Sequence, residues 1–138
     1  MGRTMSASRA VAKVTQSLLD DERTLIQESR RVGDPLRAVL TRLAGERRSF
    51  AEELERFNGQ GSRESWGALA RELRRNLWTR MAGRDARQSV AACQRSQQRT
   101  EAQYRNALHL DLPGDLKAAL VAQQERLREA RAELGSLG

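Results

Sequence analysis

Apolar residues recur at intervals of three and four along most of the chain, and short runs rich in Gly, Pro, Asp and Asn interrupt them. That spacing lays an apolar stripe along one side of an α-helix, so the pattern predicts a series of amphipathic helices separated by turns. Gly33-Asp34-Pro35 combines a stop signal, a capping carboxylate and a proline suited to the first helical position. Asn58-Gly59-Gln60-Gly61-Ser62, Gly83-Arg84-Asp85 and Asp111-Leu112-Pro113 mark the other breaks. Five helices are expected, over residues 6–32, 35–57, 63–82, 86–110 and 113–134.

The first stripe is Val11, Val14, Leu18, Leu25 and Val32, and the second is Leu36, Val39, Leu40, Leu43, Phe50, Leu54 and Phe57. Trp66, Leu69, Leu73, Leu77 and Met81 make the third, the most uniformly apolar. Val90, Cys93, Tyr104 and Leu108 form the fourth, and Leu116, Leu120, Leu127 and Leu134 the fifth. Short turns make neighbouring helices antiparallel, so the first two and the last two helices form hairpins. The middle helix then returns along the bundle between them, the connectivity of a ferritin-like four-helix bundle with one helical crossover. The expected fold is therefore all-α, one domain over residues 1–138 with residues 1–5 disordered.

Composition agrees with this reading. Aromatic residues are 4% of the chain, and Ala, Leu, Arg, Glu and Gln dominate, the types that lose least on entering a helix. A single cysteine, Cys93, rules out an intramolecular disulfide and a multi-cysteine zinc site within one chain, and it suits a reducing cytoplasm. No apolar run approaches the roughly 20 residues that span a bilayer, so a cytoplasmic location without membrane association is expected. The net charge of +7 comes almost entirely from arginine, since Lys13 and Lys117 are the only lysines. Such a bias follows from GC-rich coding as readily as from an anionic partner.

The stripes carry polar residues where apolar ones are expected. Glu22 lies four after Leu18 and three before Leu25, and Glu46 lies three after Leu43 and four before Phe50, with Glu53 one heptad further on. The fourth helix places Gln94, Gln97 and Glu101 on the line from Val90 to Tyr104, and the fifth sets Gln123 and Gln124 beside Leu120 and Leu127. A carboxylate facing a bundle core needs a cation or an arginine, here Arg47 or Arg23. Neutral amides satisfy one another by hydrogen bonding and are poor ligands for iron or manganese. The glutamines therefore predict a polar packed centre. A working di-metal bundle needs Glu-x-x-His pairs, and the only histidine, His109, sits in a turn with no such pair. No glycine-rich phosphate loop or nucleophilic triad is available either.

The run Leu43-Ala44-Gly45-Glu46-Arg47-Arg48-Ser49-Phe50-Ala51-Glu52-Glu53-Leu54, then Gly83-Arg84-Asp85, then Ala102-Gln103-Tyr104-Arg105-Asn106-Ala107-Leu108 followed by Asp111-Leu112-Pro113, resembles the bacterial ferritin-like four-helix-bundle family of unknown function. The resemblance covers roughly residues 14–134. Members of that family carry a His-Arg pair in the crossover helix, where this chain has Leu69-Ala70-Arg71, and several acidic residues in the fourth helix, where it reads Ala92-Cys93-Gln94-Arg95-Ser96-Gln97-Gln98. Arg131 and Arg30 stand at positions that the resemblance makes histidine and acidic. It thus implies a degenerate metal site, with Glu22, Glu46, Glu53 and Glu101 as vestigial candidates and an arginine holding Glu46 or Glu53 in place of a cation.

Three function classes follow. The first is a non-catalytic bundle without cofactor or small-molecule substrate, acting through homo-oligomerisation or a protein partner, for which Arg71, Arg74, Arg75 and Trp78 offer a face. The second is low-specificity binding of nucleic acid or another polyanion by the segment 71–105, which holds nine arginines against three acidic residues. The third is residual ferritin-like metal binding or oxidation.

Overall fold

A computed structural model describes residues 7–58 and 86–137. They form four helices and, among the described residues, no strand: α1 (Ala7–Ser29), α2 (Leu36–Asn58), α3 (Ala86–Leu108) and α4 (Gly114–Leu137). The expected helix at 63–82 and the expected disordered residues 1–5 lie outside the described residues. Helix ends differ from the sequence reading by at most three residues, and the start at Ala86 coincides with it. After Ser29 the amides of Arg30 and Arg31 turn back three residues, to the carbonyls of Gln27 and Glu28, and end α1 early. The amides of His109 and Leu110 do the same after α3. Arg37 on α2 donates Nε to the carbonyls of Ser29 and Val32, both at 3.0 Å, so a cation caps the C-terminal end of α1.

α1 packs against α2 and α3, and α4 against α3 and α2, so the helices stand in the ring order α1–α2–α4–α3. Side-chain bonds fix their directions. Ser17 meets Thr100 while Ser89 donates to Glu28, so α1 and α3 are antiparallel. Arg42–Glu133 and Gln123–Glu53 make α2 and α4 antiparallel, and Tyr104–Gln123 with Gln97–Leu127 do the same for α3 and α4. α2 and α3 consequently run the same way, and Asn58 and Ala86 lie at opposite ends of helices about 34 Å long. None of the described helices is long and apolar enough to cross a membrane.

The core is in two halves. One is built from Val11, Val14, Leu18, Leu54, Tyr104, Leu116, Leu120 and Leu127, the other from Leu25, Leu36, Leu40, Leu43, Val90, Cys93 and Leu134. On α1, α2 and α3 the two halves are separated at the same height by buried polar residues: Asp21, Arg47 and Gln97. Phe57, placed on the second stripe by its spacing, is 40% exposed at the last turn of α2, whereas Leu54, three residues earlier, is fully buried.

Candidate functional site: a buried charged layer

Arg47 is fully buried at the middle of α2, in step with Leu40, Leu43 and Leu54. It donates in three directions: Nε to Asp21 Oδ2 at 2.7 Å, Nη2 to Gln97 Oε1 at 2.7 Å, and Nη1 to Glu46 Oε1 at 3.2 Å. A planar guanidinium presents its donors at fixed angles, which suits one charge to three acceptors on three sides. Gln97 passes the network on, donating Nε2 to Glu101 Oε2 at 2.9 Å and to the Leu127 carbonyl at 2.7 Å. All four described helices thus meet in one hydrogen-bonded layer.

The rim of the layer is ionic as well. Arg126 clasps Glu46 Oε2 through Nη2 at 2.7 Å and Nε at 3.2 Å, Arg131 lies 3.5 Å from Glu101, and Arg48 lies 3.1 Å from Glu22. Four carboxylates face four guanidiniums, so the layer closes without net charge. Burial nevertheless pushes the Asp21 carboxyl above its ordinary 3.8, against the opposing pull of Arg47. Its second oxygen, Oδ1, makes no well-formed hydrogen bond among the described residues, and the nearby Ser96 hydroxyl adds a weaker downward pull to that of Arg47.

Further polar contacts flank the layer. On one side the Tyr104 hydroxyl donates to Gln123 Oε1 at 2.6 Å, and Gln123 Nε2 donates to Glu53 Oε1 at 2.8 Å. On the other, Ser89 donates to the buried Glu28 at 2.8 Å. Burial raises the Tyr104 phenol far above its ordinary 10.0, despite the opposing charge of Arg47. A raised folded-state value means that the neutral phenol favours folding below pH about 10 and that this contribution is lost as pH climbs beyond it. Tyr104 is the only tyrosine, so phenolate absorbance isolates it. Folded protein is expected to show no phenolate at pH about 10, where half of a free phenol ionises, and phenolate is expected to appear only as helical circular dichroism is lost.

Of the residues singled out from the sequence, Gln97, Gln123 and Glu101 are buried, as is Glu22 at the rim, while Glu46 and Glu53 are half-buried. Gln94 and Gln124 are half-buried and stand outside the network. Gln97 and Gln123 bond not to one another, as expected of neutral amides, but to Arg47, Glu101, Tyr104 and Glu53. Glu46 is held by Arg47 and Arg126 rather than by Arg131, which holds Glu101; Arg30 is exposed beyond the end of α1. His109 is exposed. Arg71, Arg74, Arg75 and Trp78 lie outside the described residues.

The sequence names Arg47 only as a partner for a neighbouring carboxylate, not as a core residue, and does not single out Asp21, although the spacing signal is present in both. Asp21 lies three after Leu18 and four before Leu25, and Arg47 four after Leu43 and seven before Leu54. Each is as well spaced as its neighbour, Glu22 or Glu46, so spacing alone does not choose between them.

No group of three or more His, Cys, Asp or Glu residues among those described is placed to hold a metal ion. Of the four vestigial carboxylates, Glu22, Glu46 and Glu101 flank the layer on Arg48, Arg47 and Gln97, and Glu53 lies seven residues further along α2 on Gln123, so each is taken up by a protein donor. Comparison with models of known protein families, with curated proteins and with solved structures finds no match.

Proposed function

We propose that this chain is a non-catalytic, ferritin-like helical bundle that acts in the cytoplasm through contacts between copies or with a protein partner, its centre closed by internal ion pairs in place of a metal site. The observation that carries this reading is Arg47: a guanidinium occupies the bundle axis, where a di-metal box would concentrate positive charge, and it is neutralised by Asp21 and Glu46. The parallel course of α2 and α3, with a long connection between them, supports the ferritin-like topology. A buried charge removed from its partners is destabilising, so the pairing favours the metal-free centre.

Protein purified without chelators, incubated with ferrous and manganous ions and then desalted, tests the proposal. It is expected to retain far less than one metal ion per chain and to oxidise ferrous iron with peroxide no faster than buffer. Stoichiometric retention of either ion contradicts it.

A further inference from the structure

Between α1 and α3 runs an open groove of about 610 Å³ that belongs to neither apolar half of the core and lies on the outer side of Asp21. Its size is that of a small-molecule site. Lys13 and Arg23 stand towards its two ends on α1, and Arg99 faces them from α3. The bond between Ser17 and Thr100 sets the relative height of the two helices, and it puts Arg99, next to Thr100, between the levels of Lys13 and Arg23. Ten residues of helix separate the α1 pair by about 15 Å along the axis, a span that two long flexible side chains close from both ends.

The three cations are exposed and make no ion pair among the described residues, unlike Arg42, Arg48, Arg126, Arg128 and Arg131. The one acidic residue in the lining, Asp20, accepts a hydrogen bond from Gln16 at 3.2 Å. Ser17, its hydroxyl engaged by Thr100 at 3.1 Å, and the buried Ser96 complete the two walls. Behind the wall Asp21 is paired with Arg47 and also feels the charge of Arg99, so its carboxylate offsets part of the positive charge that Lys13, Arg23 and Arg99 bring to the groove.

We infer that the α1–α3 groove binds a compact oligophosphate, either free or as the phosphate chain of a small molecule. Several anionic groups in one short chain meet three separated cations at once, and the arginine fork pairs with two phosphate oxygens. The groove is short and interrupted by Asp20, which disfavours a continuous nucleic-acid backbone.

Isothermal titration of the full chain with inorganic tripolyphosphate at physiological salt tests this. One ligand per chain is expected, with binding weakened about tenfold or more by Arg99→Gln and by Lys13→Gln, as the loss of a charge-assisted contact implies. Arg128→Gln, which removes an exposed arginine from α4, is expected to leave it unchanged; circular dichroism of each variant checks the fold. Absence of binding at that salt, or equal weakening by Arg128→Gln, overturns the inference. So does displacement of tripolyphosphate by a single-stranded oligonucleotide at a lower phosphate concentration, which marks a nucleic-acid groove instead.

Discussion

Replacing Arg47 by Ala is expected to lower the stability of the folded chain by about 3–5 kcal/mol, the range for breaking a buried ion pair from one side. The loss has several sources. Asp21 keeps its charge in the interior without the Nε donor, Gln97 Oε1 loses its donor, and a void opens at the middle of α2. Glu46 suffers least, because Arg126 still holds its other oxygen. A protein of this size has only about 5–15 kcal/mol in hand, so the variant is expected to sit near the edge of folding. Arg47→Lys keeps the charge but not the fork and is expected to fall between the two, because one ammonium cannot match the directions of three acceptors. Both are read by urea denaturation followed by circular dichroism.

The pH dependence of that loss has a definite sign. Burial raises Asp21 and Arg47 opposes the rise, so removing Arg47 raises the carboxyl further. A folded-state value above the unfolded one means that the favourable contribution of the protonated acid is present at low pH and is lost as pH rises through the folded value. The deficit of Arg47→Ala relative to wild type is therefore expected to shrink between neutral pH and pH about 4, as Asp21 takes up a proton and is buried neutral.

The second large effect has the opposite direction. Replacing the layer as a unit, Asp21→Leu with Arg47→Met and Gln97→Leu, is expected to leave stability unchanged or raise it by about 1–4 kcal/mol. Desolvating an ion pair costs most of what its attraction returns, and apolar side chains of similar volume would join the two halves of the core into one. What the substitution forfeits is register. Asp21, Arg47, Gln97 and the Leu127 carbonyl match only when all four helices stand at one height, whereas a continuous leucine stripe tolerates sliding by a heptad. The triple variant is expected to be stable but to show broader or doubled amide resonances. A single sharp set of resonances would remove the register role while leaving the stability argument intact.

Much of this architecture was legible in the sequence. The spacing of Leu18 and Leu25, of Leu40 and Leu43, of Val90 and Cys93, and of Leu120 and Leu127 places four helix faces on a common core, and the turns at Gly33-Asp34-Pro35 and Asp111-Leu112-Pro113 divide the hairpins. That Gln97 and Gln123 belong to a polar interior followed from the same spacing. The identity of the central residues did not follow. With 3.6 residues per turn, adjacent positions such as 21 and 22, or 46 and 47, both lie within reach of the stripe, and only packing against three other helices decides which one points to the axis. Composition argued against the answer as well, since arginine is seldom fully buried and a chain with so many of them offers no reason to choose one. Buried arginine becomes legible only when its acceptors, Asp21 and Gln97, are recognised on neighbouring helices at the same height.

An ionic layer centred on Arg47 closes the middle of this bundle. Urea denaturation of wild type, Arg47→Ala and the triple apolar variant, measured side by side at neutral pH, tests it directly. The order expected is the triple variant at least as stable as wild type, with Arg47→Ala lower than both by about 3 kcal/mol or more. Arg47→Ala within about 1 kcal/mol of wild type, the range of an exposed ion pair, would contradict a buried charge at the bundle centre.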